Sequence, residues 1–328
     1  RTAAPASSSS SSSRGSPTRR APFFLGEMPA SKLDDAAKRA LAERLRSEVL
    51  AGQPTKAAKT NGSTTPDEVV DANFGVDVAC CERYLRARDY NLTKAKKMLE
   101  ETLAWREAFG VATLVEQRFP LIEKEAATGK TFVLPPESYR DNEGRAIVVM
   151  RNRLENTKDH DGNVAHLVYQ MERAVRAAGT TDHEKWVLLI DFDGYSLRNA
   201  PPLKTSKATL GAMQNHYPER LHKAFLVNAP WLFNAAFKLI SPFIDPVTKE
   251  KIVFVRGTPD ERKAILAKYF PLASLEKCLG GTSEYVYDAK TYLADDRARY
   301  EKAASPETAS CPPSAASDEK HDDAAASG

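Results

Sequence analysis

The sequence predicts an α/β protein: a mostly parallel sheet with crossover helices, preceded by an all-α N-terminal region. Three observations carry this. Four short apolar runs, Ala146–Met150, Val187–Ile190, Ala224–Val227 and Ile252–Val255, are continuous rather than alternating. Strands read that way when both faces are buried. Helical patterns separate the later runs, and strand–helix–strand–helix order across 185–270 calls for parallel pairing. Before residue 130 every periodic segment is helical.

Taken in order, residues 1–30 form a Ser- and Arg-rich leader, with Ser7 to Ser13 unbroken. Its first 22 residues hold Arg1, Arg14, Arg19 and Arg20 and no acid. That composition fits an organelle transit peptide or a disordered tail, and the tail is preferred. A first residue of Arg rather than Met leaves room for residues before it. Leu33, Ala37, Leu41, Leu45 and Val49 recur every four residues, which predicts a helix over 31–50. Gly52 and Pro54 end it, and a polar linker runs over 52–65. Thr65-Pro66-Asp67-Glu68 has the form of a capping box, so a helix is expected from there through Arg88. Leu92 to Phe109 follows as a helix with Ala95, Met98, Leu99, Thr102, Trp105 and Phe109 on one face, stopped by Gly110. Trp105 and Phe109 are assigned to core packing.

Among the strands, Val164 to Ala178 carries Val164, Leu167, Val168, Met171 and Val175 on one side. Pro201 opens a second helix towards Gln214, and Thr258-Pro259-Asp260-Glu261 opens a third with another capping box. One segment breaks the amphipathic rule. Trp231 to Ile244 is apolar around most of its circumference, so it is either buried in a large core or faces something apolar such as lipid. Residues 288–328 are helical, then disordered, and the last 28 carry a charge of −4.

The whole chain of 328 residues has a formal net charge of +3, from 47 basic and 44 acidic residues. The basic leader and acidic tail cancel, so no strongly basic domain exists and a dedicated nucleic-acid binder is excluded. Cys80, Cys81, Cys278 and Cys311 offer neither a C-x-x-C nor zinc-ligand spacing, so a reducing compartment is the default. The apolar stretch Ala224 to Phe237 is broken by Asn228, Pro230 and Asn234, short of the roughly 18 apolar residues of a span. Membrane contact is therefore expected to be peripheral.

Several motifs bear on chemistry. Ala127-Thr128-Gly129-Lys130-Thr131 ends like a phosphate-binding loop, but Lys124 stands where its first glycine is required. Asp191 and Asp193, two apart at a buried strand's end, resemble the first motif of haloacid-dehalogenase-like phosphatases. That alternative makes Asp191 the nucleophile and Asp193 the general acid, with magnesium. The family's second-strand hydroxyl is absent at Val227-Asn228-Ala229-Pro230, and its paired acids would fall in a polar helical stretch at Asp295-Asp296. A strand-ending turn with Asx hydrogen bonds is preferred. The six histidines form no H-x-x-x-H unit and are assigned surface or packing roles. Asp245-Pro246-Val247-Thr248-Lys249-Glu250-Lys251 joins the apolar segment to a strand. Its hydroxyl and ammonium groups can hold a phosphate at a pocket mouth or simply face solvent.

Taken together, several segments resemble the CRAL-TRIO lipid-binding family, most closely its phosphatidylinositol transfer proteins. They are Arg83-Tyr84-Leu85-Arg86-Ala87-Arg88, Ala95-Lys96 to Trp105-Arg106, Tyr217-Pro218-Glu219-Arg220, Val227-Asn228-Ala229-Pro230, Pro242-Phe243-Ile244-Asp245-Pro246-Val247-Thr248 to Lys251, and Leu279-Gly280-Gly281. The match covers about residues 67–287, in order. It implies a helical region at 31–119, a lipid-binding domain at 120–287 and a sheet-floored pocket that takes one lipid. A mobile gate helix would close the pocket, with Trp231, Phe233, Phe237, Ile240, Phe243 and Ile244 on it. The resemblance places the inositol phosphate headgroup against Arg88, Asp141, Glu219, Thr248 and Lys251. It also implies a non-enzymatic monomer with no catalytic residue, metal or cofactor beyond the bound phospholipid, and no nucleic-acid partner. Transient contact with membranes from the cytoplasm follows, or a plastid if the leader is a transit peptide. The chain departs from the family at three places. Asp89 replaces a basic residue after Arg88. Trp186 and Leu188 replace small hydroxyl residues of phosphatidylcholine binders. Met171 replaces an aromatic. A second ligand other than phosphatidylcholine is therefore expected, and the alternative on the same fold is a carrier of another hydrophobic ligand, tocopherol- or retinoid-like, in place of phosphatidylinositol.

Overall fold

The computed structural model describes residues 31, 33–52, 74–155, 157–179, 183–231 and 233–305. The leader, the helix start expected at Thr65, Cys311 and most of the acidic tail lie outside them. Residues 1–53 and 76–97 form one compact unit, and residues 54–75 and 98–328 form a second.

In the first unit, α1 (Asp35–Gly52) buries Leu41, Leu45 and Val49, the stripe the four-residue spacing predicts. Helix α2 (Val78–Arg86) begins where the Asp77 side chain accepts the Cys80 N–H. Residues 74–77 are not helical, so the helix expected to run unbroken from Thr65 to Arg88 does not do so. A local Asx cap at Asp77 sets the start of its described part. Cys80 and Cys81 are buried free thiols, and burial pushes the Cys81 thiol up to about 12. After α2, Asp89 and Tyr90 both adopt left-handed backbone (φ 50° and 59°), turning the chain into α3 (Leu92–Phe109), whose bounds match the prediction.

The second unit is built on five strands in the order β1-β2-β3-β4-β5: β1 (Thr131–Val133), β2 (Ala146–Arg151), β3 (Trp186–Asp191), β4 (Leu221–Val227) and β5 (Ile252–Val255). Strands β2 to β5 pair in parallel, and β1 pairs antiparallel with β2, Phe132 opposite Val149. Sequence reading missed β1 because three residues carry too little pattern.

Helices on both sides supply the crossovers. Helix α4 (Leu114–Ala126) is kinked at Arg118, two residues before Pro120, whose ring and missing N–H interrupt the helical ladder. Helix α5 (His160–Ala178) starts where Asp159 accepts the Gly162 N–H. Then come α6 (Leu203–His216), α7 (Phe233–Ile240), α8 (Pro246–Glu250) and α9 (Pro259–Leu266). Helix α9 carries both halves of the capping box expected from Thr258 and Glu261. Short α10 (Ala289–Tyr292) and α11 (Ala294–Ala304) close the described chain.

Side chains alternate across the sheet as the pleat requires. Val148, Trp186, Leu188, Ala224 and Leu226 point to one face, where Leu167 and Met171 of α5 and Phe233 of α7 cover them. Ile147, Val149, Leu189, Phe225 and Val255 point to the other, against Leu266 and Phe270. Each large apolar side chain so buried contributes about 1.5–3 kcal/mol. β5 departs from expectation. It lies at the sheet edge, and Phe254 is exposed rather than buried.

Candidate functional site

The first face of the sheet is not fully filled. Between α5, the start of α6 and α7 lies a cavity of about 310 Å³. Leu167, Phe192, Tyr195, Leu203, Phe233 and Ile240 give it apolar walls. Its size is at the low end of the roughly 300–1,000 Å³ typical of ligand pockets. Phe192 and Phe233 meet with ring centroids 4.3 Å apart, and Phe233 stacks on towards Phe237 at 5.7 Å. This aromatic row ties the roof to the end of β3.

The opposite end of the cavity is polar. Lys130 is buried just before β1, and its ammonium donates to Glu125, to Glu155 Oε2 at 2.9 Å and to Asn163 Oδ1 at 2.7 Å. Its three N–H bonds are thus committed, as a buried ammonium requires. Arg151 also reaches the cavity, paired with Glu276 and lying 4.9 Å over the Phe132 ring. His166, on α5, lines the same end and is 2% exposed. Burial, aided by the nearby Lys130 charge, lowers its pKa to about 3. Sequence reading missed this set. The available signal was His166 and Gln170, a polar pair four residues apart on an otherwise apolar helix.

The apolar segment beside the cavity is shorter as a helix than Trp231–Ile244. It comprises α7 and a 3-10 turn over Ser241–Phe243, where Pro242 ends the regular ladder. Phe233 and Ile244 are buried, and Phe237 and Ile240 are half-buried against the cavity side. Trp231 is 84% exposed and Leu239, which also lines the cavity, 68% exposed, with Phe243 and Val247 also exposed. Polar ties hold the ends: Gln214 Nε2 donates to the Phe243 carbonyl at 2.9 Å, its Oε1 accepts the Asp245 N–H, and Arg256 donates to Asn234.

Two of the five expected headgroup residues, Glu219 and Lys251, are in contact, and Thr248 lies three residues before Lys251. Thr248 lies in α8, Lys251 caps the C-terminus of that helix, and Lys251 Nζ is 3.8 Å from Glu219 Oε1. Lys185 Nζ approaches the other Glu219 oxygen at 3.4 Å. Glu219 sits in left-handed backbone (φ 59°) in the turn before β4, so two lysines flank a carboxylate held in a strained conformation. Asp141 is committed elsewhere: its carboxylate accepts the N–H groups of Glu143 and Arg145 and the Arg145 guanidinium, closing the turn into β2. Arg88 belongs to the first unit, where its guanidinium donates to the Ala87 carbonyl.

The phosphatase alternative finds no support. Both Asp191 oxygens are engaged, by Arg153 at 2.8 Å, by Asn228 and by the Asp193 N–H, the last being the Asx turn expected there. No group of three metal-ligating side chains occurs among the described residues. Downstream, Gly280 is left-handed (φ 82°), and a Cβ on Gly281 would overlap the Leu275 carbonyl, which explains the Gly-Gly pair.

Comparison with known proteins gives a consistent result. The family model of the CRAL/TRIO domain matches residues 130–281, and that of the CRAL/TRIO N-terminal domain matches residues 55–101. Phosphatidylinositol transfer protein PDR17 of Saccharomyces cerevisiae is 34% identical over 68% of this chain and 62% of its own length. The SEC14 cytosolic factor of Kluyveromyces lactis is 33% identical over 65% of this chain and 74% of its own. A CRAL-TRIO domain-containing protein of Schizosaccharomyces pombe is 35% identical, and this chain spans 22% of its length. The crystal structure of Sfh5 shares the fold, with a TM-score of 0.54 at 19% identity, covering 68% of this chain and 81% of that one.

Proposed function

The chain belongs to the CRAL/TRIO domain family of lipid-binding proteins, and from that premise we propose that it carries single phosphatidylinositol molecules between membranes without converting them. The observation that carries this reading is the position of α7. Its inner aromatic side roofs an apolar cavity, while Leu239 at the cavity's edge and Trp231 just before the helix are exposed to the surface. A helix apolar on both sides suits a gate that leaves the cavity wall for a lipid surface. The cavity is about twice the size of a dry cavity of about 150 Å³ that accepts benzene, giving it room for about a dozen non-hydrogen atoms. A two-chain lipid needs several times more, so α7 swings outward to admit one. At about 0.8 kcal/mol per methylene, only a dry enclosure compensates the chains for leaving a bilayer.

The choice of phosphatidylinositol rests on the Lys251, Lys185, Glu219 and Thr248 group. Ammonium and hydroxyl donors suit a phosphate, and a carboxylate suits the ring hydroxyls. Trp186, Leu188 and Met171 are packed together in the core, which supports excluding phosphatidylcholine as the exchanged lipid. Among the described residues no helix is long and apolar enough to cross a membrane, and the proposed membrane contact is peripheral, from the cytoplasm, by a monomer. Vesicle-to-vesicle transfer of fluorescent phosphatidylinositol tests the assignment. Lys251→Ala combined with Thr248→Asp abolishes transfer and leaves the thermal melt unchanged. Undiminished transfer by that double variant overturns the headgroup assignment.

A further inference from the structure

Charge is unevenly spread around the cavity. Residues 196–244 hold six Lys or Arg and one acid, Glu219, although the whole chain balances to +3. Four of the six, Arg198, Lys204, Lys207 and Lys238, are exposed, and none of these four forms an ion pair among the described residues. Glu219 is already flanked by Lys185 and Lys251. Asp245, just past the stretch, turns its carboxylate onto the Val247 and Thr248 N–H groups.

The four cations stand on the two lips of the cavity. One lip is the 3-10 turn Leu197–Asn199 with the first turns of α6, and the other is α7. Leu203 and Leu239 line the cavity and are also exposed, so they mark its mouth. Leu197 is exposed too, two residues before Asn199, which lines the cavity. Lys158 braces this lip by donating to the carbonyls of Arg198 at 3.0 Å and Ala200 at 2.9 Å. Lys207 Nζ stands 4.3 Å over the Phe243 ring, which brings α6 against the turn that follows α7.

Each exposed leucine has a cation as its sequence neighbour: Leu197-Arg198, Leu203-Lys204 and Lys238-Leu239. In a bilayer the leucine enters the acyl boundary while the cation stays among the headgroups. An acidic protein surface answers the charges but not three leucines ringed around a lipid exit. A bilayer with acidic headgroups answers both.

We propose that the two lips dock together on an anionic lipid surface, with Leu197 and Leu203 inserted beside α7 and Arg198, Lys204, Lys207 and Lys238 against acidic headgroups. The charge of the bilayer, rather than the lipid being carried, then selects the membrane on which the cavity opens. The assignment rests on the reading of α7 as a lipid-facing gate, to which it adds a second inserted element and the charge of the partner.

The test is co-sedimentation of the full chain with phosphatidylcholine vesicles, with and without phosphatidylserine, which keeps the inositol headgroup out of the comparison. Phosphatidylserine strengthens binding by about tenfold or more. Salt of about 1 M, where the screening length falls to about 3 Å, removes that gain. Lys204→Gln, Lys207→Gln and Lys238→Gln each weaken binding to the acidic vesicles about fivefold, the worth of one cation at a charged bilayer. Lys268→Gln, beyond α9 on the other face of the sheet, does not. Leu203→Ser, with an unchanged thermal melt, weakens binding to both kinds of vesicle. Equal binding to neutral and acidic vesicles, or undiminished binding by the three lysine variants, overturns the proposal and leaves the α7 reading standing. Soluble polyglutamate that binds as tightly as the acidic vesicles makes the partner an acidic protein and overturns it as well. Failure to bind vesicles of either composition removes the lipid-facing reading of α7 along with it.

Discussion

Lys130 shows how one side chain can look like one motif and serve as another. In the sequence it belongs to Ala127–Thr131, the ending of a phosphate loop whose first glycine is missing. In the structure its ammonium is the hub joining α4, the segment before α5 and α5 itself, through Glu125, Glu155 and Asn163. Removing it leaves two carboxylates in a dry site, which costs about 3–5 kcal/mol. Urea unfolding of Lys130→Met is expected to show that loss, and adding Glu125→Gln is expected to restore part of it. No single-sequence signal foretells such a hub, because its partners lie 5 to 33 residues away and meet only after folding. The Asp191 turn was legible for the opposite reason: Asp193 lies two residues on, within reach of a local hydrogen bond.

At the scale of elements, legibility followed pattern length. The bounds of α3 were readable because 18 residues of periodic apolar spacing end at a glycine. The start of α9 was readable because the capping box is a local bond pair. Thr258→Ala should cost about 1 kcal/mol of stability in chemical unfolding, the usual worth of such a cap. The α7 segment was legible only as an anomaly. Its all-round apolar surface said that something apolar faces it, while the extent of the helix depended on Pro242 and on Gln214 holding the following turn. Trp231 is the largest outward side chain on that segment. Co-sedimentation of Trp231→Ala with phosphatidylinositol-containing vesicles is expected to weaken by about tenfold or more, from lost apolar burial alone. Undiminished vesicle binding by this variant excludes the Trp231 end of the Trp231–Ile244 segment as the membrane-facing element.

Over the whole molecule, the α/β class and the parallel order of four strands were readable from continuous apolar runs separated by helices. The position of β5 at the edge was not, since Ile252–Val255 is as apolar as an interior strand and only topology exposes Phe254. Net charge likewise said little about the proposed function, because the charges it calls on are a few lysines around Glu219. Acid sensitivity does emerge at this scale. Burial holds His166 at about 3 and His216, stacked on Trp105, at about 4, below the ordinary value of 6.5. Between those values and 6.5 the unfolded chain binds protons that the folded one refuses. Stability is therefore fully present above pH 6.5 and falls as the pH drops below it, by about 1.4 kcal/mol per unit for His166 alone. Unfolding midpoints between pH 7 and 4.5 should fall steadily, and His166→Leu should flatten the slope.

The central claim is that this molecule encloses one phosphatidylinositol behind a gate formed by α7. Native mass spectrometry of the purified chain, sprayed without denaturant, measures it most directly. The account predicts a single added mass that releases as phosphatidylinositol and that disappears in the Lys251→Ala, Thr248→Asp double variant. A co-purifying lipid of another headgroup class, retained equally by that variant, would contradict it.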